Sequence, residues 1–91
     1  MPLEVVERAS ELVQCCKRIA EVGNAALLSD VASGAILASS AGEGAALMVR
    51  INLRSIKNDK LVDELDRRLR IALTVIAESI HIVTRIVEGK A

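Results

Sequence analysis

The chain has 91 residues, of which 52% are hydrophobic and 26% charged, and it contains no Phe, Tyr or Trp. Twelve basic and twelve acidic side chains give a formal net charge of zero, which argues against a nucleic-acid surface held by counterion release. The stacking platforms of most single-stranded nucleic-acid binders are missing too, because those platforms are aromatic. We therefore expect no nucleic-acid partner and one domain with an aliphatic core.

Cysteine usage and the start of the chain indicate a cytoplasmic protein. Cys15 and Cys16 are adjacent and belong to no CxxC motif or His-rich segment, so neither a disulfide framework nor a metal site is predicted. The first residues, Met1-Pro2-Leu3-Glu4, lack the basic segment of a signal peptide. A reducing compartment fits these features.

The first predicted helix begins at Pro2, a residue suited to a first helical position, and ends where Gly23 and Asn24 supply a stop signal. Its apolar residues recur every three or four positions and form one stripe: Leu3, Val6, Ala9, Leu12, Val13, Cys16, Ile19 and Ala20. This stripe is expected to face a core, with the charged face in solvent.

Ser29 and Asp30 are predicted to cap the second helix, which continues to about Ser55. Each glycine inside a helix costs about 0.5–1 kcal/mol relative to Ala, so the interior glycines predict a packing or binding role. One sector of the helix carries only small residues and allows another backbone to approach: Gly34, Ala38, Ala41, Gly42 and Ala45.

The third predicted helix follows an N-terminal signal at Asn58-Asp59, runs from Lys60 to Glu88 and stops at Gly89. Between residues 71 and 87 apolar side chains surround most of it, more than three helices of one small chain can cover. We therefore expect a homo-oligomer, a dimer or larger. The fold class is all-α, with three long antiparallel helices that form part of an oligomeric bundle.

Two stretches, residues 31–49 and 71–87, are apolar enough to raise the question of a membrane. The first contains Glu43, and the second contains Glu78, His81 and Arg85. Charged side chains are costly inside a bilayer, so both stretches are interpreted as buried bundle helices, with no membrane partner expected.

Motifs with a known mechanism, such as a P-loop, a dinucleotide glycine pattern or HExxH, are absent from the sequence. Two local strings are more informative. Gly23-Asn24 precedes Ser29-Asp30, and Leu47-Met48-Val49-Arg50-Ile51-Asn52-Leu53 precedes Ser55-Ile56-Lys57. In this order they resemble segments of the formiminotransferase-cyclodeaminase and methenyltetrahydrofolate cyclohydrolase family. The resemblance is strongest over residues 23–57. Family members are about twice as long and begin with a glycine-rich segment and an alanine-rich helix, so the single domain over residues 1–91 resembles their C-terminal half only.

The resemblance implies an all-helical domain that acts in folate-dependent one-carbon metabolism. The family's reactions are the closure of 5-formiminotetrahydrofolate to 5,10-methenyltetrahydrofolate with loss of ammonia, and the hydrolysis of the methenyl form to 10-formyltetrahydrofolate. A tetrahydrofolate derivative would be the substrate, with no covalently bound cofactor and no metal. Both reactions need proton transfer, so a positioned acid or base is required.

Asp30 is the candidate catalytic residue, as a general base or pterin ligand; the alternative is a helix cap. The resemblance implies substrate binding by Asn24 and Ser29, which belong to the same segment. A second segment or subunit would be needed to complete the site.

Three further candidates for substrate binding follow in the chain. Arg50 can hold a folate carboxylate through its bidentate fork, or form an ion pair with Glu43, seven residues earlier. Asn52 can bind the pterin or bridge two helices. Lys57, with other basic residues, can attract a polyglutamate tail or form part of a solvated face: Lys60, Arg67 and Arg68.

Two alternatives remain open at this stage. His81 lies in the apolar half of the third helix, where a core or interface role competes with catalysis. The whole chain, moreover, is interpreted either as part of a cyclodeaminase or cyclohydrolase or as a non-catalytic helical association module of that family.

Overall fold

A computed structural model describes residues 2–22 and 25–90, and this part of the chain forms three helices and no strand. α1 spans Pro2–Val22, α2 spans Ala25–Leu53 and α3 spans Asp59–Lys90. The predicted all-α class is therefore confirmed. α1 begins at the proline that the sequence indicated, since proline's fixed φ suits a first helical turn.

The start of α2 differs from the prediction. The helix begins at Ala25, so Ser29 and Asp30 lie inside it and cap nothing. The Ala25-Ala26-Leu27-Leu28 run consists of the strongest helix formers, which extends the helix ahead of the expected cap. Asn24 lies outside the described residues.

Asn58 determines where α3 begins. Its Oδ1 accepts a hydrogen bond from the backbone N–H of Leu61 at 3.1 Å, and its carbonyl oxygen accepts one from the N–H of Val62 at 3.0 Å. This is the bonding of an N-cap residue, as the sequence indicated. At the other end α3 continues through Gly89 to Lys90, so the predicted stop at Gly89 is wrong. Gly89 does not have a positive φ, the conformation that a glycine stop signal requires.

The three helices run up, down and up in one bundle about 50 Å long. One core cluster joins the start of α1, the end of α2 and the first half of α3: Leu3, Val6, Ala9, Ala46, Val49, Leu69, Ala72 and Ile76. A second cluster joins the opposite ends: Ala20, Leu28, Ala35 and Val83. Successive helices are therefore antiparallel, as predicted.

Small residues allow the helices to approach closely at the middle of α2. A Cβ atom built on Gly42 would lie 2.8 Å from Cδ1 of Ile76 and 3.0 Å from Cβ of Ala9, both below normal contact distance. Gly34 and Gly44 have no such neighbour within 4 Å. The predicted packing role of the interior glycines is confirmed for Gly42 and is not seen within this chain for the other two.

The exposed large apolar side chains lie on α1 and α2 more than on α3, where the sequence placed them. Four of them belong to α1: Val5, Leu12, Ile19 and Val22. In α3, Ile76 and Val83 are buried, and among the large apolar residues of its 71–87 stretch Ile71 alone is exposed. Among the side chains of α2 from Leu28 onward, five large apolar ones are exposed, from 53% for Ile36 to 71% for Leu37: Ile36, Leu37, Leu47, Met48 and Ile51. The α3 prediction failed because α1 and α2 both pack on α3, and together they cover more of its circumference than one neighbouring helix would.

One described helix segment, Leu28–Leu53, is long and apolar enough to cross a membrane, with a mean hydropathy of 1.2. Only 17% of its window is buried, so the prediction that residues 31–49 are buried inside the bundle is wrong for this chain alone. Length and composition are weak evidence for a span, since core helices of other proteins pass the same test.

Candidate functional site

A groove of about 900 Å³ lies between α2 and α3. Its floor is apolar, with Ala46, Leu73, Ile76 and Ile80, and polar side chains stand along its rim. The polar lining residues come from both helices: Ser39, Ser40, Glu43, Arg50, His81 and Thr84. The lining residues span 39–50 on α2 and 73–84 on α3. Each span rises by about 1.5 Å for every residue after the first, so the groove is about 17 Å long.

Helical geometry places Arg50 and Glu43 in the groove together. They are seven residues apart on one face of α2, and at 1.5 Å per residue they are separated by about 10 Å along the helix. Both side chains are exposed, and no ion pair joins them or occupies either one in the part of the chain that is described. The predicted alternative of a Glu43–Arg50 ion pair is therefore not seen, and both charges face the groove.

The α3 side of the groove is contributed by His81 and Thr84. The Thr84 hydroxyl donates to the carbonyl oxygen of Ile80 at 2.7 Å, which fixes the direction of its proton. The His81 side chain is exposed at the rim. Because α2 and α3 are antiparallel, Arg50 and His81 lie toward opposite ends of the groove.

The groove is suited to an elongated ligand that carries an anionic group at one end. A guanidinium such as that of Arg50 binds a carboxylate through two parallel hydrogen bonds. The apolar floor fits a flat ring, and a carboxylate such as that of Glu43 accepts hydrogen bonds from ring or amine N–H groups.

Asn52 and Lys57 follow Arg50 in the chain, but neither lines the groove. Asn52 is exposed one residue before the end of α2, and Lys57 is exposed in the connection to α3. The side-chain amide of Asn52 makes no hydrogen bond to the described residues, while its backbone carbonyl accepts one from Ser55 Oγ at 2.9 Å. The predicted alternative of a bridge between two helices is therefore not seen.

Ser29 and Asp30 lie far from the groove. Both are exposed in the second turn of α2. Asp30 is twenty residues from Arg50, a distance of about 30 Å along the helix. Of the described residues predicted to bind substrate, Arg50 alone lines the groove. Asn52, two residues on, points to the opposite side of α2, and the Ser29–Asp30 segment lies far along the helix.

Arg68 is occupied elsewhere. Its Nη2 and Nε atoms donate to the two carboxylate oxygens of Glu7 at 2.6 and 3.1 Å, which ties α3 to α1. These hydrogen bonds and the charge of Glu7 raise the pKa of Arg68 above its ordinary value. Arg68 therefore belongs to a structural ion pair, and its predicted attraction for a polyglutamate tail is not supported.

Glu43 and the polar residues facing it were not recognised as site residues from the sequence. The available signal was the seven-residue spacing from Arg50, which was interpreted as an ion pair. Ser39 shares with Glu43 and Arg50 a polar sector that the helical spacing of the sequence predicts on an otherwise apolar helix. Thr84 gave no signal, because only the packing of α2 on α3 brings it to the groove. Among residues 2–22 and 25–90, no group of three or more His, Cys, Asp or Glu side chains is placed to hold a metal ion.

Comparison with known proteins gives one result. A family model described as formiminotransferase-cyclodeaminase matches residues 1–71. The match covers α1, α2 and the first part of α3, and thus Glu43, Arg50, Asn52 and Lys57, whereas His81 and Thr84 lie beyond it. Searches of curated proteins and of solved structures gave no match.

Proposed function

Because the chain belongs to the formiminotransferase-cyclodeaminase family, we propose that it binds a tetrahydrofolate derivative in the groove between α2 and α3 and acts in folate-dependent one-carbon metabolism. The observation that carries this proposal is the position of Arg50. It is the guanidinium at the end of an apolar groove, it makes no ion pair with the described residues, and it belongs to the segment that resembles the family.

The geometry gives the ligand a direction. In a folate, the α-carboxylate of glutamate is separated from N10 by one amide and one aromatic ring. With that carboxylate on Arg50, N10 comes to the level of Glu43, because the two residues are about 10 Å apart along α2. The pterin then lies over the part of the groove lined by Ser39, Ser40 and Thr84. Lys57, in the connection that follows α2, lies beyond the Arg50 end, where further glutamates of a tail would emerge, whereas Asn52 points to the other side of α2.

We assign the proton transfers of either family reaction to Glu43, which lines the groove. In the closure, N10 attacks the formimino carbon; its proton must leave, and the departing nitrogen must gain one before it is released as ammonia. In the hydrolysis, water attacks the methenyl carbon, one proton passes to N5 as its bond to carbon breaks, and one is released. A carboxylate beside N10 can accept and return such a proton.

Asp30, Ser29 and Asn24 enter this proposal through a second segment or subunit. Asp30 and Ser29 lie about 30 Å from Arg50 along α2, too far for any side chain to reach the same small molecule. Their part in catalysis and binding therefore depends on a partner that brings them to the groove of another chain.

Isothermal titration calorimetry with 5-formyltetrahydrofolate, a stable derivative, tests the binding site. The wild-type chain is expected to bind, and Arg50→Ala to weaken binding about tenfold or more, since a charge-assisted bidentate contact is lost. Arg85→Ala is the matched control, an exposed arginine of α3 outside the groove, and it should bind like the wild type. Absence of binding by the wild-type chain, or equal losses in both variants, would contradict the proposal.

A second readout uses the composition of the chain. With a single His and no Phe, Tyr or Trp, the ring C–H signals of His81 are the protein's only aromatic resonances. In a uniformly ¹³C-labelled sample these signals should shift when 5-formyltetrahydrofolate is added, because His81 lines the groove. Unchanged signals at saturation would place the ligand elsewhere.

A non-catalytic association module is the second candidate function. The observation that favours it is the row of exposed large apolar side chains on α2, the kind of surface at which proteins bind partners. In that case the chain would self-associate, and it would show no turnover of 5,10-methenyltetrahydrofolate above the uncatalysed rate.

A further inference from the structure

The two walls of the groove differ in their relation to the family match. The match ends at residue 71, whereas the α3 side chains that line the groove begin at Leu73 and end at Thr84. The α2 wall, with Glu43 and Arg50, lies inside the match. What the α3 wall contributes to the groove is therefore a property of this chain's own sequence.

Of the described side chains that line the groove, only two can exchange a proton near neutral pH. They are Glu43 on α2 and His81 on α3. Arg50 stays protonated, because a guanidinium does not lose its proton in proteins. The hydroxyl of Thr84 already donates to the carbonyl oxygen of Ile80 at 2.7 Å. The described part of the α3 wall therefore offers one acid or base, His81.

Two contacts set the register of α2 against α3. Gly42 lies against Ile76, and seven residues away on each helix Ala35 and Val83 share the second core cluster. Because the spacing is equal on both helices, equal numbers of steps from these contacts reach the same level of the bundle. Other residues of the groove can therefore be placed by counting from them.

Glu43 and His81 lie at neighbouring levels on opposite walls. Glu43 is one residue after Gly42, whereas His81 is five residues after Ile76 and therefore level with the position five residues before Gly42. The two are thus six steps apart, which is about 9 Å along the bundle. No hydrogen bond or ion pair in the described part of the chain occupies either side chain.

The side chains of Glu43 and His81 lean toward each other. A helical side chain is tilted toward the N-terminus of its own helix, over the preceding turn. Glu43 therefore leans toward Ser39, and His81 leans toward Ala77 on the opposite wall. Because α2 and α3 are antiparallel, these two directions converge. The carboxylate and the imidazole face the same stretch of the groove from its two sides.

The proposed reactions move protons at two different nitrogens, and this arrangement offers one group for each. With the ligand's carboxylate on Arg50, N10 lies at the level of Glu43. N5, joined to N10 through the reacting carbon, lies further toward Ser39, on the side to which His81 leans. An exposed carboxylate is ionised at neutral pH, so it accepts a proton but has none to donate. An imidazole changes its charge between pH 5 and 8 and can donate one.

We propose that His81 is the general acid of the groove and acts with Glu43 as the general base; this assignment rests on the proposed function. In the closure, Glu43 accepts the proton of N10 as N10 bonds to the formimino carbon. The imidazolium of His81 gives a proton to the formimino nitrogen, whose bond to that carbon breaks as ammonia leaves. One proton is taken up and one is given, and exchange with water restores both side chains.

The hydrolysis uses the same two groups. The water that attacks the methenyl carbon loses its two protons in turn to Glu43, which passes them to solvent. His81 donates one proton to N5 as the bond between N5 and the carbon breaks, and the formyl group stays on N10. One proton is released in total, as the reaction requires.

Turnover of 5,10-methenyltetrahydrofolate by His81→Ala, with and without imidazole in the buffer, tests the assignment. The substitution should lower kcat by about 10²-fold or more, and it should leave the affinity for 5-formyltetrahydrofolate within about twofold of the wild type. Because His81 is exposed at the rim, dissolved imidazole can reach its place and should raise kcat of the variant about tenfold or more.

Glu78→Ala is the matched control. Glu78 is exposed, lies three residues before His81 on α3 and does not line the groove, so this variant should keep the wild-type kcat with and without imidazole. Circular dichroism should show the same helix content for both variants. Partial recovery of His81→Ala with imidazole, and no effect on Glu78→Ala, supports the assignment, because a merely structural loss would not respond to a dissolved acid.

The opposing outcomes separate this assignment from the proposed function. A His81→Ala variant with unchanged kcat, or with a loss that imidazole does not reverse, overturns the role of His81 while the wild-type chain still binds and turns over its substrate. A wild-type chain that does not bind 5-formyltetrahydrofolate contradicts the proposed function, and the assignment fails with it.

Discussion

Gly42 of α2 and Ile76 of α3 are in contact so close that a Cβ on the glycine would lie 2.8 Å from Cδ1 of the isoleucine. Ala9 of α1 approaches the same point to 3.0 Å, so all three helices converge there. This point of closest approach between the helices lies beneath the groove, since Ile76 is also a groove-lining residue. The glycine therefore fixes how closely α2 and α3 pack, and with it the groove's geometry.

Gly42→Ala should destabilise the fold by about 1–3 kcal/mol, because an added methyl in a well-packed core forces neighbours to move. The gain in helix propensity, about 0.5–1 kcal/mol, offsets part of this. Urea denaturation measures the effect. Gly34→Ala, in an open position of the same helix, is the control and should stabilise by about that propensity gain.

Ile76→Val removes the atom that Gly42→Ala would contact most closely. If the loss comes from this contact, the double variant should be more stable than the sum of the two single changes predicts. If the two changes in stability simply add, the methyl introduced by Gly42→Ala does not clash with Ile76.

Asn58→Ala should cost about 1 kcal/mol of folding stability, because the N–H of Leu61 loses its side-chain acceptor. Asn58→Asp keeps an acceptor oxygen at the same place and should retain most of the stability. Thermal unfolding followed by circular dichroism measures both variants. Equal losses in the two would show that the capping bond contributes little.

Cys16 should react more slowly with iodoacetamide than Cys15 at pH 8. Burial, with a smaller contribution from Cys15, raises the pKa of the Cys16 thiol above its ordinary value, so less of it is thiolate at a given pH. Cys15 is exposed, whereas Cys16 is half-buried against the second core cluster. Peptide mass spectrometry over a time course measures the two rates. In the unfolded chain the difference should disappear.

Glu43→Gln should lower kcat for methenyltetrahydrofolate hydrolysis by about 10²-fold or more, the usual contribution of a general acid or base. Ligand binding should change much less, because the amide keeps the shape of the side chain. Glu78→Gln, an exposed glutamate of α3 outside the groove, is the control. A variant that loses binding and turnover in equal measure would indicate that Glu43 holds the substrate without moving its proton.

The periodicity of apolar residues predicted the three helices and most of the core, because a helix that packs on two others must bury residues at heptad spacing. The end of α2 and the start of α3 were close to the prediction, since Asn58 carries its own capping chemistry. The start of α2 was missed because Ser29 and Asp30 resemble a cap, and the Ala-Leu run before them extends the helix.

The site was predicted only in part, for a reason that local sequence cannot reveal. Arg50 lines the groove, whereas Asn52 and Lys57, although close to it in the chain, do not. For Asn52 the reason is that two steps along a helix turn a side chain to the opposite side. Glu43 and His81 share a groove because α2 packs on α3, and such a pairing depends on the rotation of each helix. Likewise, the exposed apolar surface was assigned to α3 from its composition, whereas packing left most of it on α1 and α2.

The hydrolysis of 5,10-methenyltetrahydrofolate by the purified chain, compared with Arg50→Ala at equal concentration, tests the central claim most directly. The account predicts turnover above the uncatalysed rate by the wild-type chain and a loss of about tenfold or more in kcat/KM for Arg50→Ala, since the carboxylate contact sets the position of the substrate. A wild-type rate equal to the uncatalysed rate, or equal rates for the two chains, would contradict it.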